Sequence, residues 1–220
     1  MNDCAKEQLM VTDSRFAEVV TSEEQFRAVM GLPASRVLKK EISSLDVHCR
    51  AFISRSPFVL ISSCDADGRM DVSPKGDLPG FVQVLDDYTL AIPDRPGNRR
   101  ADTFSNLLQS PRTGLLFLIP GKQETLRVSG QAIIVRDRHL RERMGVDGKL
   151  PDFALVVTVE QAFFHCAKCM IRSHLWDRDF WPDLAGLPSH ARCLIDQGKL
   201  AETEEEIQAS IDRSYRTRLY

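Results

Sequence analysis

Between Ser56 and Val135 the chain sets out short apolar runs at close, even spacing, each ended by turn-forming residues, and this constrains the fold more than any other feature. The first arm, in the run that begins at Ser56, is a near-continuous apolar strand. Asp65-Ala66-Asp67-Gly68 supplies a turn, and a short second arm ends in Ser73-Pro74-Lys75-Gly76. Phe81 to Leu85, Tyr88 to Ile92, Gly114 to Ile119 and Thr125 to Val135 follow as further strands. Six strands at this spacing predict a mainly β chain with flanking helices, closed as a small antiparallel barrel. Pro74 cannot donate to a ladder and Gly76 permits close approach, so the second arm is expected to leave its sheet beside a bound group.

The stretch Pro93-Asp94-Arg95-Pro96-Gly97-Asn98-Arg99-Arg100-Ala101-Asp102 joins a strand to a helix and carries three arginines. Thr103 to Leu108 begins a helical pattern, with Phe104, Leu107 and Leu108 on one face. An anion placed there meets free N–H groups at the helix start together with guanidinium forks. The competing reading is a solvated basic turn.

These residues carry a resemblance. From about Ser56 to Asp137, the order of apolar strand, Asp-Gly turn, Ser-Pro-Lys-Gly, strand, Pro-Gly-Asn-Arg-Arg-Ala-Asp, helix, strand and Glu124-Thr125-Leu126-Arg127-Val128-Ser129-Gly130 resembles the FMN-binding split barrel of the pyridoxamine 5'-phosphate oxidase-like superfamily. Phe164-His165-Cys166-Ala167-Lys168 and Arg172-Ser173-His174-Leu175-Trp176 extend the similarity toward a branch distinct from the oxidase proper. The resemblance implies a six-stranded split β-barrel, a homodimer, and FMN as cofactor at the twofold interface. It places the FMN phosphate on Asn98, Arg99 and Arg100 and the ring edge along Val72, Ser73, Pro74 and Lys75. Thr125, Arg127, Lys168, Arg172, Ser173 and Trp176 are candidates contributed by the second protomer. For Trp176 the competing reading is a core residue, for Arg127 a surface ion pair, and for His165 a packed, hydrogen-bonded histidine. Where the oxidases proper carry Arg-x-x-Leu-Leu-Lys, this chain has Asp71-Val72-Ser73-Pro74-Lys75, so oxidation of pyridoxamine phosphate is not carried over. The implied function is an FMN-dependent oxidoreductase acting on a small molecule. A deazaflavin such as F420, a haem, or a non-catalytic flavin-binding or redox-sensing module are the alternatives.

At 220 residues the chain can bury one sizeable core. We expect a helical segment over 1–55 packing on the barrel, the barrel over 56–165, and a helical extension over 166–220. The amino-terminal helices should run from Ser22 to Met30 and from Leu38 to Phe52. The carboxyl-terminal pair should span Ser189 to Gln197 and Thr203 to Tyr215, the last opening on a Thr203-x-x-Glu206 capping box. A formal charge of −2 gives no global basic field for nucleic acid. No apolar run approaches a membrane span and Met1 to Glu7 lacks a signal-peptide pattern, so a cytoplasmic location is expected. The six cysteines, Cys4, Cys49, Cys64, Cys166, Cys169 and Cys193, are expected reduced. Cys166 and Cys169 with His190 and Cys193 have zinc-like donor spacing, but a lone Cys-x-x-Cys is weak support for metal or a redox dithiol.

Overall fold

The computed structural model describes residues 15–220; Cys4 and the stretch Met1 to Glu7 lie outside the described residues. The described residues divide into two compact units, one ending at Lys40 and the other spanning 41–220. In the first, α1 (Glu23–Met30) opens on Ser22, whose hydroxyl accepts the Gln25 amide, and a single turn, α2 (Ser35–Leu38), follows.

The second unit begins with α3 (Val47–Ile53), capped by the Asp46 carboxylate on the amides of His48 and Cys49. The expected helix from Leu38 to Phe52 is therefore interrupted. Ile42 pairs as an isolated bridge with Ala162, and the helix starts only after Asp46, which takes the N-cap. Cys49, Phe52 and Ile53 are buried, and Phe52 meets Phe164 edge to face.

Seven strands follow, broken by helices: β1 (Phe58–Cys64), β2 (Met70–Gly76), β3 (Gln83–Val84), β4 (Thr89–Pro93), α4 (Asp102–Gln109), β5 (Arg112–Leu118), β6 (Thr125–Val135), α5 (Arg138–Arg143) and β7 (Ala154–His165). They form one antiparallel sheet in the order β2-β1-β5-β6-β7-β4-β3. Two expectations are corrected. The sheet has seven strands where six were expected, because Ala154–His165 adds a long strand between β6 and β4; and no ladder joins β2 to β3 among the described residues, so the barrel is not closed.

The second arm of the hairpin does not leave its sheet. β2 pairs with β1 in register from Phe58↔Gly76 to Cys64↔Met70. Pro74 is tolerated because β2 is an edge strand, with one side free of a ladder partner. Gly76 serves the chain itself: a Cβ there would stand 3.3 Å from the Pro57 carbonyl oxygen.

Alternation drives the sheet's burial. Val59 and Ile61 on β1, Leu115 and Phe117 on β5, and Leu126 and Val128 on β6 point into one core with Leu90, Ile92 and Val157. β4 is buried along most of its length because Ala91, on its other face, joins a smaller cluster with Leu140, Met144 and Ala154 under α5. A register shift at Ser129/Gly130 leaves Glu160 of β7 as an extra residue and bends β7 against β6, where a Cβ on Gly130 would lie 1.9 Å from the Thr158 carbonyl oxygen. Beyond the sheet come α6 (Lys168–Ser173), a 3₁₀ turn at Arg178–Phe180, α7 (His190–Gly198) and α8 (Glu204–Thr217). The Thr203/Glu206 capping box is formed as expected.

Candidate functional site

The turn between β4 and α4 folds tightly because its side chains replace missing backbone partners. Asn98 Oδ1 accepts the Arg100 amide at 3.0 Å, and Arg99 and Ala101 adopt left-handed backbone, at φ 63° and 56°. Ala101 is the N-cap of α4 and offers no side-chain acceptor, so the first-turn amides of this eight-residue helix receive no side-chain cap. Thr103 Oγ1 donates to Asp71 Oδ2 at 3.0 Å and fastens the helix start to β2. Arg100 turns its Nε to Asp102 Oδ2 at 2.8 Å.

This uncapped helix end and the edge strand face the same space. A cleft of about 1100 Å³ is lined by Val72, Ser73, Pro74 and Lys75 of β2 and by Asn98, Arg99 and Arg100 of the turn. All seven sequence candidates of the first group are thus brought together. Among the described residues β2 pairs only with β1, so its outer edge has backbone polar groups without ladder partners there. Asp94 and Asp152 also line the cleft. Burial pushes the half-buried Asp94 carboxyl above its ordinary range, with Lys75 acting against the rise and Asp152 with it.

The other six candidates are not in this cleft within one chain. Thr125 is buried at the start of β6 opposite His165. Arg127 projects from the same strand with its guanidinium over the Phe163 ring, 5.5 Å from the centroid, so that contact stands where an ion pair was considered. Lys168, Arg172 and Ser173 lie on α6. Trp176 borders a separate hollow with Gln123, Met170, Ile171 and His174, and its indole N–H donates to the Lys122 carbonyl at 2.9 Å. His165 stands beside Phe163, with ring centroids 5.6 Å apart.

Sequence reasoning missed a third contributor to the cleft. Lys149 to Phe153, His190, and Ser210, Ile211, Ser214, Tyr215 and Arg218 to Tyr220 complete its lining. Asp77 and Arg95 form a buried ion pair at 2.6 Å, and the Tyr220 hydroxyl donates to the other carboxylate oxygen of Asp77 at 2.8 Å. Arg95 lies over the Tyr220 ring, 5.5 Å from its centroid. Burial pushes the Asp77 carboxyl up, but the Tyr220 hydroxyl, the Leu78 amide and Arg95 together outweigh it and hold the group below its usual range. Among the described residues no three His, Cys, Asp or Glu side chains stand where they could share a metal ion. Cys166 and Cys169 are exposed thiols, and Cys49, Cys64 and Cys193 are likewise unpaired in disulfides.

The family model for pyridoxamine 5'-phosphate oxidase matches residues 45–166, more than half of the chain. The chain belongs to that family. Members of the pyridoxamine 5'-phosphate oxidase family thus share with it the segment from the end of the first helical region to the close of β7. Among solved structures, a candidate pyridoxamine 5'-phosphate oxidase from Lactobacillus delbrueckii is 20% identical, with 56% of this chain and 95% of that one covered and a TM-score of 0.44. HupZ from Group A Streptococcus is 16% identical over 54% of this chain and 92% of its own, with a TM-score of 0.44. An FMN-binding protein from Syntrophomonas wolfei is 14% identical over 65% and 93%, with a TM-score of 0.42. No curated protein sequence matches the chain significantly. No helix among the described residues is long and apolar enough to cross a membrane.

Proposed function

We propose that this member of the pyridoxamine 5'-phosphate oxidase family binds FMN in the 1100 Å³ cleft and acts as an FMN-dependent oxidoreductase on a small molecule. The observation that carries the reading is one juxtaposition. The uncapped start of α4, with Arg99 and Arg100, lines the same cleft as the free edge of β2. A phosphate suits the first feature, where N–H groups, the positive helix end and guanidinium groups combine. A flat heteroaromatic ring with alternating donors and acceptors suits the second.

When bound, FMN supplies the hydride and electron chemistry, and the protein's part is to hold, orient and tune it. Asn98 keeps the turn in shape through the Arg100 amide, and Thr103 with Asp71 fixes the distance between helix start and strand. Lys75 places a cation on the strand that would carry the ring, where it favours negative charge developing nearby. In this reading Thr125, Arg127, Lys168, Arg172, Ser173 and Trp176 act from a second copy of the chain, since none of them lines the cleft of its own.

Titration of cofactor-stripped protein with FMN tests the reading. Each lost charge-assisted phosphate contact should cost about 1.5–3 kcal/mol, roughly ten- to more than a hundredfold in affinity. Arg99→Ala and Arg100→Ala should each weaken FMN by that order. Wild-type affinity in both variants would put the phosphate elsewhere, and a deazaflavin or Soret spectrum in freshly purified protein would replace FMN as the cofactor.

A further inference from the structure

Two exposed thiols have no part in the cofactor reading. Cys166 and Cys169 flank Ala167-Lys168 where β7 passes into α6, and both are accessible to solvent. Their spacing alone is weak support for any chemistry, but the structure adds the backbone between them. Ala167 has φ −69° and ψ −10°, and Lys168 is the first residue of the helix, so both intervening residues are right-handed. A turn with such a centre brings its end Cα atoms within ~7 Å of each other. Disulfides span Cα atoms about 4.4–6.8 Å apart, so the fold holds this pair at a separation where one can close.

The junction is also well anchored. β7 stays in register with β6 as far as Thr125↔His165, Phe164 meets Phe52 edge to face, and the Ile171 amide donates to the Ala167 carbonyl at 2.9 Å. Holding two groups in place raises the effective concentration of one at the other. The remaining described cysteines lack this combination of pairing and access. Cys49 is buried, Cys64 is half-buried on β1 with its Sγ 3.8 Å from Ser110 Oγ, and Cys193 is half-buried on α7. His190 and Cys193 do not join the pair as metal ligands, since among the described residues no three such side chains could share an ion.

We infer that Cys166 and Cys169 form a reversible dithiol–disulfide centre, a second redox site in this chain, whose reaction partner is a low-molecular-weight disulfide. One cysteine thiolate attacks a sulfur of the incoming disulfide; that S–S bond breaks and one thiolate leaves. The other cysteine gives its proton to solvent and attacks the first cysteine's sulfur, forming the Cys166–Cys169 bond and expelling the second thiolate. The pair thereby loses two electrons and two protons, and the partner disulfide becomes two thiols. These steps use no flavin, so the inference goes beyond the cofactor reading and does not depend on it.

The test is incubation of the purified full chain in glutathione buffers of graded oxidation, followed by alkylation of remaining thiols and mass mapping of the peptide that holds both cysteines. With rising oxidised glutathione, wild type should pass through one transition in which both thiols disappear, the peptide loses two hydrogens and no glutathione stays attached. Cys166→Ser and Cys169→Ser should each keep a glutathione adduct on the remaining cysteine, outlasting the wild-type adduct about tenfold or more because the intramolecular attack is gone. Both side chains are exposed, so either serine should leave the melting temperature unchanged, and the wild-type result stands without the variants. Wild-type protein that retains glutathione on both cysteines, forms only disulfides between chains, or fails to react overturns the inference and leaves two independent surface thiols.

Discussion

Arg95 Nε stands 2.6 Å from Asp77 Oδ2, with the two side chains only 16% and 2% exposed, and this pair ties the end of β2 to the turn that leads into α4. The two halves of the proposed FMN position are therefore joined by one buried ion pair. Removing one member strands the other charge in a poorly solvated site, which typically costs about 3–5 kcal/mol. Arg95→Met should lower the free energy of urea unfolding by that order and weaken FMN more than its distance from the phosphate would suggest. Unfolding midpoints in the presence and absence of FMN check both parts.

Tyr220→Phe removes one donor from the same carboxylate. The Asp77 carboxyl is held below its ordinary value in the folded chain, so its stabilising contribution is present above the unfolded value of ~3.9 and is lost as pH falls through the folded one. Without the tyrosine hydroxyl the folded value rises toward the unfolded one, so that contribution shrinks and is completely lost at a higher pH. Acid unfolding followed by circular dichroism should show an earlier transition in Tyr220→Phe than in wild type.

Asp94 works in the opposite direction. Burial raises its carboxyl, so between the unfolded value of ~3.9 and the folded one the native chain binds more protons than the unfolded chain. Its contribution is fully present below ~3.9 and falls away as pH climbs through the folded value. Asp94→Asn should therefore gain stability relative to wild type as pH rises from 4 toward 7, with the difference levelling once wild-type Asp94 is ionised. Urea midpoints across that range decide it, and a constant difference would show that the carboxyl does not titrate differently on folding.

Much of this architecture is legible locally. β6 occupies Thr125–Val135, the expected boundaries, because its alternation is clean, and the β1/β2 turn forms because Asp65 Oδ1 accepts the Asp67 and Arg69 amides while Gly68 takes φ 81°. β7 is harder to read because Ala154 to Val157 is buried or half-buried on both faces and Glu160-Gln161 interrupts the pattern beside the bulge. The spacing of Ile42, Leu45, Cys49 and Phe52 mimics a helix although Ile42 bridges to β7. At the cleft, prolines, glycines and arginines mark the phosphate turn within a few residues. Its closure by the carboxyl-terminal arm rests on Tyr220 and Asp77, 143 positions apart, and no local pattern encodes a contact of that range.

Gly130→Ala probes the bulge. The added Cβ would sit 1.9 Å from the Thr158 carbonyl oxygen, a backbone atom that cannot rotate away. Forcing β6 from β7 should cost at least the ~1–3 kcal/mol of ordinary overpacking. A melting temperature equal to wild type would mean the two strands separate more easily than their eleven-residue register implies.

The thiols should divide sharply. Cys166 and Cys169 are exposed, whereas burial, reinforced by the Asp46 carboxylate, pushes the Cys49 thiol up to about 12. A disulfide reagent at neutral pH should modify Cys166 and Cys169 promptly and Cys49 only on unfolding, because the thiolate is the reactive form. Peptide mapping of the labelled sites reads the order, and elemental analysis of the same sample should find no stoichiometric zinc.

The two groups of candidate ligands lie in different places on one chain. Val72 to Lys75 and Asn98 to Arg100 line the large cleft, Trp176 borders another hollow, and Arg127 rests on Phe163. If both groups serve one cofactor, a twofold pair of chains is the simplest arrangement that supplies them, because it repeats the same two surfaces at two equivalent sites. FMN would then bind the dimer in preference to the monomer, and by mass action it should strengthen association. Sedimentation of FMN-loaded and cofactor-free protein at micromolar concentration should show a dimer that loosens when FMN is removed, and Trp176→Ala should weaken FMN without touching the phosphate turn. A monomer holding one tightly bound flavin would show that a single chain completes the site, and Thr125, Arg127, Lys168, Arg172, Ser173 and Trp176 would then have no place in it.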